Sequence, residues 1–275
     1  MPDYGVRLER SGKVAIVTLD RPLRRNAMDE HMWGCFEEAT AALERDLPRA
    51  VVITGAGGKA FCAGFDVNPE NPQVSRLAHA MTTGDARPAR ELVVRIRSAV
   101  DRLVGLGVPV IAAISGIAYG GGAEMACRCD LRVMDQDAVI CFSEVRLGLM
   151  PDHGGVVGLV RLVGASRACD LICTARTVGA EEAYALGIAN RISAPGKALE
   201  ESLELARAIA ANGPRAVRSA LAVIRRAGEL PAREALDLET DTAARLIACG
   251  ECIEGIAAFL ERRTPDFRDP GEGQA

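Results

Sequence analysis

The 275-residue chain contains no run of the roughly 18 to 20 consecutive apolar residues needed to cross a bilayer. Its first residues, MPDYGVRLERSGK, carry acids where a signal peptide has a basic and then an apolar stretch, so a cytoplasmic location is expected. An excess of positive charge is missing too. The formal net charge is −4 with acids and bases interspersed, which gives no basic face for nucleic acid and no reason to expect a membrane partner. Histidine is scarce, and none of His31, His79 and His153 stands in a Ser/His/Asp context that would suggest a serine hydrolase. No internal repeat or low-complexity tract is visible. The nine cysteines are odd in number, and most sit in apolar runs (MACRC, VICF, ACDLIC), so reduced, buried thiols are expected rather than a disulfide framework. Cys249 and Cys252 form one C-x-x-C without a second pair at zinc spacing, and no metal site is expected.

What is present is enough apolar material, 49%, for one large or two small cores. The β-branched runs Val14–Leu19 and Ala50–Gly57 read as strands around a helical pattern from about Ala27 to Glu44, a β-α-β unit. DVNPENPQVSRLAHAMTTGDARP lacks clean periodicity and reads as a long loop or a loosely held helix. Helical periodicity resumes over about Ala89–Leu106, and Val108–Ser115 and Leu131–Phe142 read as buried strands. From Gly154 the pattern is helical, broken by one short strand within Gly187–Pro195.

Between the two buried strands lies GIAYGGGAEMAC, three glycines opening a helix that carries a lone acid, Glu124. Glycines at a strand-to-helix turn allow a tight bend and let a ligand approach the free N–H groups of the helix start. The triplet has neither G-x-G-x-x-G spacing nor a G-K-[ST] ending, so a nucleotide fingerprint is unsupported, and close packing of helix on strand is the alternative use. A second small-residue turn, GGKAFCAGFDV (Gly57–Val67), follows an earlier strand, so two turns can each direct a backbone N–H at one oxygen. A carboxylate in an apolar helix start is either hydrogen-bonded for structure or tuned for proton transfer.

Together LDRPLRRNAMD, GKAFCAGFD, VPVIAAISGIAYGGGAEMACRCDLRV, FSEVRLGLMPDHGG and EGIAAFLERR, in this order and spacing, resemble the crotonase family of enoyl-CoA hydratases and isomerases from about Gly12 to Phe267. The resemblance implies an α/β fold, a crotonase (ClpP-like) spiral of β-β-α units over residues 1–195, followed by a helical C-terminal region over 196–275 for trimerisation. It also implies acyl-CoA thioester substrates, with coenzyme A part of the substrate and no separate cofactor, and assembly as a homotrimer or a dimer of trimers.

Carried onto this sequence, the resemblance places an oxyanion hole on the backbone N–H groups of Phe65 and Gly121, and two catalytic glutamates at Glu124 and Glu144. Chemistry beside a thioester carbonyl builds negative charge on its oxygen, and losing one oxyanion donor typically costs about 3 to 4 kcal/mol. Paired carboxylates can hold one water between them, and the resemblance implies that Glu124 activates it while Glu144 exchanges a proton at the α-carbon. Leu23, Arg24, Arg25, Ala63, Asp66, Val67 and Gly120 match positions around CoA and the thioester, and Phe259 and Arg262 match C-terminal positions that reach CoA in the same or a neighbouring subunit.

The chain departs from the family's hydratases at Pro151-Asp152-His153-Gly154-Gly155, where proline-glycine-alanine-glycine-glycine is common. Asp152 either caps the following helix or enters the site. His153 is either packed or in contact with acyl group or water. Phe65 stands where alanine is common, its ring narrowing the acyl pocket or filling core. Keeping both glutamates favours hydration of a 2-enoyl-CoA. Asp152 raises a Δ3,Δ2-enoyl-CoA isomerase on the same site as the alternative, and a non-catalytic acyl-CoA-binding subunit is a third reading, because fold does not fix function.

Overall fold

The computed structural model describes residues 4–269, so residues 1–3 and the last six positions of the expected C-terminal region lie outside the described residues. The chain opens with a hairpin, β1 (Gly5–Ser11) and β2 (Val14–Asp20), paired antiparallel from Gly5↔Asp20 to Ser11↔Val14. Strand β1 has only Val6 and Leu8 as apolar residues and gives little signal in the sequence. Helix α1 (Glu30–Arg45) starts where the Asp29 side chain accepts the Met32 N–H at 2.9 Å, and buries Met32, Trp33, Phe36, Thr40 and Leu43 along one stripe. It leads to β3 (Ala50–Gly55), which pairs parallel to β2, the expected β-α-β unit.

A two-strand pattern then recurs. β3 is followed by β4 (Ala60–Cys62), then α2 (Pro72–Thr83) and α3 (Arg87–Val104). Next come β5 (Val110–Ile114), β6 (Ile117–Tyr119) and α4 (Gly121–Arg128), and then β7 (Leu131–Asp135) and β8 (Val139–Cys141). The first strand of each pair joins a six-stranded sheet of order β1-β2-β3-β5-β7-β10, and the second joins a four-stranded sheet that begins β4-β6-β8. Each turn thus adds one parallel strand to both sheets, which is the β-β-α spiral of a crotonase fold. The remaining elements are α5 (Gly155–Val163), α6 (Ala165–Thr174), β9 (Val178–Gly179), α7 (Ala180–Ala185), β10 (Arg191–Ser193), α8 (Ala198–Ala210), α9 (Pro214–Ala227), α10 (Ala232–Ala248) and α11 (Glu251–Glu261).

Side chains alternate across the large sheet with period two, and both faces are covered. Val51, Ile53, Val110, Ala112 and Ile114 enter the main core, while Ala50, Val52, Ile111, Ala113 and Val133 face Ala198, Ala206 and Ala210 of α8. A boundary at residue 195 therefore separates α8 from the sheet it covers.

Residues Leu131–Phe142, expected as one strand, form two strands in different sheets. The polar break Asp135–Ala138 turns the chain, with the Ala138 N–H donating to the Asp135 carbonyl at 2.8 Å. The Asp135 side chain is bound elsewhere: its Oδ1 accepts from Ser193 Oγ and from the Lys197 and Ala198 N–H groups, capping the start of α8. The segment after Asp66, expected as a long loop or a loosely held helix, contains α2, whose one buried side chain is Gln73. Buried Arg132 donates to the Ala126 and Cys129 carbonyls and satisfies the end of α4. Among the described residues no helix is long and apolar enough to cross a membrane.

The cysteines are free, but their expected burial holds only for Cys62, Cys127, Cys129 and Cys141, with Cys35 intermediate. Cys169 and Cys173 of the ACDLIC run are exposed because they share the outer face of α6 while Ala168, Leu171 and Ile172 face inward. Cys249 and Cys252 are exposed as well.

Candidate active site

Two strand-to-helix turns meet at one point. Gly64 lies so close to the second turn that a Cβ on it would stand 2.8 Å from the Tyr119 carbonyl oxygen and 2.9 Å from the Gly121 nitrogen. Gly120 has φ +53° and ψ −127°, a conformation that strongly favours glycine, and it turns the chain from β6 into α4. In the first turn, the Met28 N–H donates to the Gly64 carbonyl and the Asp66 N–H to the Met28 carbonyl, so the bridge to Met28 leaves the Phe65 N–H directed elsewhere. Gly121 is the first residue of α4 and its N–H has no intrahelical acceptor. Among the described residues neither the Phe65 nor the Gly121 N–H has a hydrogen-bond partner.

Glu124, one turn into α4, is 1% exposed. Its Oε2 accepts the N–H groups of His153 at 2.7 Å and Gly155 at 2.8 Å. Burial pushes its pKa up to about 8; the N–H donors favour the charged form, and the charges of Glu144 and Asp152 add to the rise. Glu144 sits on a 3-10 turn, Glu144–Leu147, directly after β8. Both its carboxylate oxygens are buried without a partner among the described residues, and Oε1 lies 3.5 Å from where a Cβ on Gly120 would stand. Burial raises the Glu144 pKa as well. Two neighbouring carboxyls that both resist ionisation hold one proton between them over the neutral range. The N–H donors on Glu124 Oε2 oppose, without cancelling, the rise that burial imposes on that carboxyl.

The loop after Glu144 closes the site. His153 is 5% exposed, its ring edge-on to Trp33 at 5.9 Å, and its Nε2 lies 3.1 Å from Asp152 Oδ1. Arg128, on the last turn of α4, donates to the His153 carbonyl at 3.1 Å and pairs with Asp101 at 2.7 Å. One donor atom each from Glu124, Asp152 and His153 lies within 4.8 Å of the others, a grouping with metal-ligand chemistry in which Glu124 Oε2 already accepts two backbone N–H groups. Chemically, a ligand oxygen can be polarised by two free N–H groups beside a carboxyl pair able to move one proton.

Residues 9–270 match the family model described as enoyl-CoA hydratase/isomerase. The chain belongs to this family. It is 35% identical to the enoyl-CoA hydratase EchA19 of Mycobacterium tuberculosis over 95% of this chain and 96% of that protein. It is 33% identical to the short-chain-enoyl-CoA hydratase of Clostridium acetobutylicum over 94% and 95%. The crystal structure of an enoyl-CoA hydratase from Polaromonas sp. JS666 superposes with a TM-score of 0.86 at 32% identity, covering 96% of this chain and 100% of that one.

In this family member the sequence-derived candidates fall into two groups. Phe65, Gly120, Gly121, Glu124, Glu144, Asp152 and His153 come together as described. At the rim, Leu23 is 97% exposed on the 3-10 turn Pro22–Arg24, with Arg24 and Arg25 exposed beside it, and the Ala63 N–H donates to the Arg25 carbonyl at 2.9 Å. Val67 is exposed next to this pair of turns. Asp66 is occupied structurally: burial works to raise its pKa, but the Asn68 N–H and Arg21 guanidinium at 2.6 Å outweigh it and hold the carboxyl below its ordinary value. Phe259 is 83% exposed, and among the described residues no hydrogen bond or ion pair joins it or Arg262 to the site; α11 packs against α10.

Sequence reasoning missed Arg128 and Trp33, which support His153, and Asn26, whose buried amide locks the Arg21–Met28 turn by donating to the Ala56 and Ala60 carbonyls. Asn26 has φ +57°, and an asparagine amid RRNAMD is a readable turn signal. Arg128 has none, since its partners are distant in sequence.

Proposed function

We propose that this chain is a hydro-lyase that adds water across the 2,3 double bond of a 2-enoyl-CoA. The observation that carries this reading is the pairing of two buried carboxyls, Glu124 and Glu144, beside two unpartnered N–H groups, on Phe65 and Gly121. The thioester oxygen accepts both N–H groups, which stabilises the enolate as charge develops. Glu124 removes a proton from water as the oxygen bonds to C3. The π electrons pass to C2 and the thioester, and the Glu144 proton is delivered to C2. Water has then added, and the shared proton has moved from Glu144 to Glu124; its return readies the next turnover.

Leu23, Arg24, Arg25, Ala63 and Val67 form the rim proposed to meet the CoA end, with Asp66 holding that rim through Arg21. The exposed apolar residues Ile247, Ile253, Ile256, Phe259 and Leu260 on α10 and α11 support assembly as a trimer or dimer of trimers, in which Phe259 and Arg262 meet CoA of a neighbouring subunit. A cytoplasmic location and the lack of a separate cofactor complete the proposal.

The test follows loss of enoyl-thioester absorbance over a panel beginning with crotonyl-CoA. E124Q and E144Q are each expected to lower the rate by about 10²–10⁴-fold, and near-wild-type hydration in either would overturn the assignment. Asp152, placed beside Glu124 and His153, favours isomerisation as the second reading. Incorporation of solvent ¹⁸O into product separates the two, because isomerisation takes up none.

A further inference from the structure

His153 is a buried histidine with half of its hydrogen-bonding capacity in use. Its main-chain N–H holds Glu124 Oε2, and its ring Nδ1 lies 3.8 Å from the other oxygen, Oε1, without a partner among the described residues. On the other side of the ring, Nε2 faces Asp152 Oδ1 at 3.1 Å. A carboxylate at this distance favours the proton on Nε2 electrostatically, and a neutral ring with its proton there presents a bare lone pair at Nδ1. Burial keeps the ring neutral by pushing its pKa below the ordinary value, with Asp152 pulling the other way. The ring has little room to move: Trp33 packs edge-on against it, and a Cβ on Gly121 would stand 2.7 Å from Nδ1.

A separation of 3.8 Å is too long for a direct hydrogen bond. It is close to the span of one bridging water, since two acceptors each about 2.8 Å from one oxygen stand roughly 4 Å apart when approached at near right angles. We infer that Asp152 and His153 form a positioning dyad, in which Asp152 fixes the Nε2–H tautomer and His153 Nδ1 accepts the second O–H of the water that Glu124 deprotonates. The inference rests on the hydratase reading. A water held by O–H bonds to Glu124 Oε1 and His153 Nδ1 turns its lone pairs towards C3. One O–H bond breaks as the proton passes to Glu124 and the O–C3 bond forms; the other survives as the product's 3-hydroxyl, still donating to His153. Asp152 is thereby committed to the imidazole and is not a proton donor to carbon.

The first experiment reads the tautomer in the wild-type protein by long-range ¹H–¹⁵N NMR, with His153 assigned by the signal lost in H153N. A pyridine-type Nδ1 and a pyrrole-type Nε2 are expected, and a protonated Nδ1 overturns the dyad. The second experiment is kinetic. H153L should lower kcat by about 10–100-fold, the scale of a misplaced reactant, with KM for the enoyl-CoA within about twofold. H153N, whose amide reaches the Nδ1 position, should recover part of the loss, and D152N should show a mixed tautomer signal. Wild-type kcat in H153L, or a loss confined to KM, sinks the dyad and leaves the hydratase reading standing. Absence of hydration by the wild-type protein overturns both. The tautomer measurement needs no folded variant beyond the assignment sample.

Discussion

Gly155 occupies the one place where a methyl group and the Glu124 side chain compete: a Cβ there would lie 2.3 Å from Glu124 Cγ and 2.8 Å from Oε2. The glycine at the first turn of α5 is therefore tied to the acid on α4, whose carboxylate its own N–H holds. G155A is expected to destabilise the fold by about 1–3 kcal/mol, the usual cost of overpacking, and to lower kcat by displacing Glu124. In an E124A background the cost should shrink without vanishing, because Cγ and the carboxylate are gone while the Cβ of residue 124 still stands 2.9 Å away. Thermal melts of the four proteins check this; an equal destabilisation by G155A in both backgrounds would refute the coupling.

The buried carboxyl also sets a pH dependence of stability. The Glu124 pKa is raised from 4.5 to about 8 on folding, so between those values the native state binds more protons than the unfolded chain. The contribution of this group is then fully present below about pH 4.5 and is lost as pH rises towards 8. E124Q keeps an oxygen for the His153 and Gly155 N–H groups and removes the titration. It should melt higher than wild type at pH 8, by about 2 °C or more for each kcal/mol gained, and nearly the same at pH 5. An equal difference at both values would show that Glu124 titrates normally.

The parts of the fold legible in sequence were those whose signal is local. β3 and β5 are buried on both faces and read as continuous apolar runs, and α1 shows a clean stripe. The division of β7 from β8 was hidden because Asp135 is held by Ser193, Lys197 and Ala198, far along the chain. At the site, the glycine turns and two glutamates carry recognisable motifs. Arg128 and Trp33 do not, since Arg128 acts through Asp101 and the His153 carbonyl, and Trp33 looks like any other buried aromatic on α1.

Cysteine reactivity should divide along burial rather than along the apolar runs that contain the residues. Cys169 and Cys173, exposed one turn apart on α6, and Cys249 and Cys252, exposed near the C-terminus, are expected to react before the buried thiols with an aromatic disulfide reagent under native conditions. Cys62, Cys127 and Cys129 are buried, and burial pushes their thiols up to about 12, 11 and 12, so little thiolate is available. They should stay unmodified until the protein unfolds. Peptide mapping after timed labelling checks the order, and early labelling of Cys62 or Cys129 would contradict the packing around the two turns.

Phe65 separates side chain from backbone. Its ring is half-buried and packs against the main core, while its N–H is the one assigned to the thioester oxygen. F65A should therefore lower the melting temperature while keeping kcat on crotonyl-CoA within about tenfold, since truncation of the ring removes packing and leaves the donor in place. Replacing the Phe65 residue by its α-hydroxy acid does the reverse: an ester oxygen stands where the N–H was, and the ring is kept. That change should cost about 10²–10³-fold in kcat, the scale of one lost oxyanion donor. The Met28 N–H still donates to the Gly64 carbonyl, although an ester carbonyl is the weaker acceptor, so a melt of the ester protein measures that separate loss. A large kcat defect in F65A beside a small one in the ester would move the oxyanion role away from the Phe65 amide.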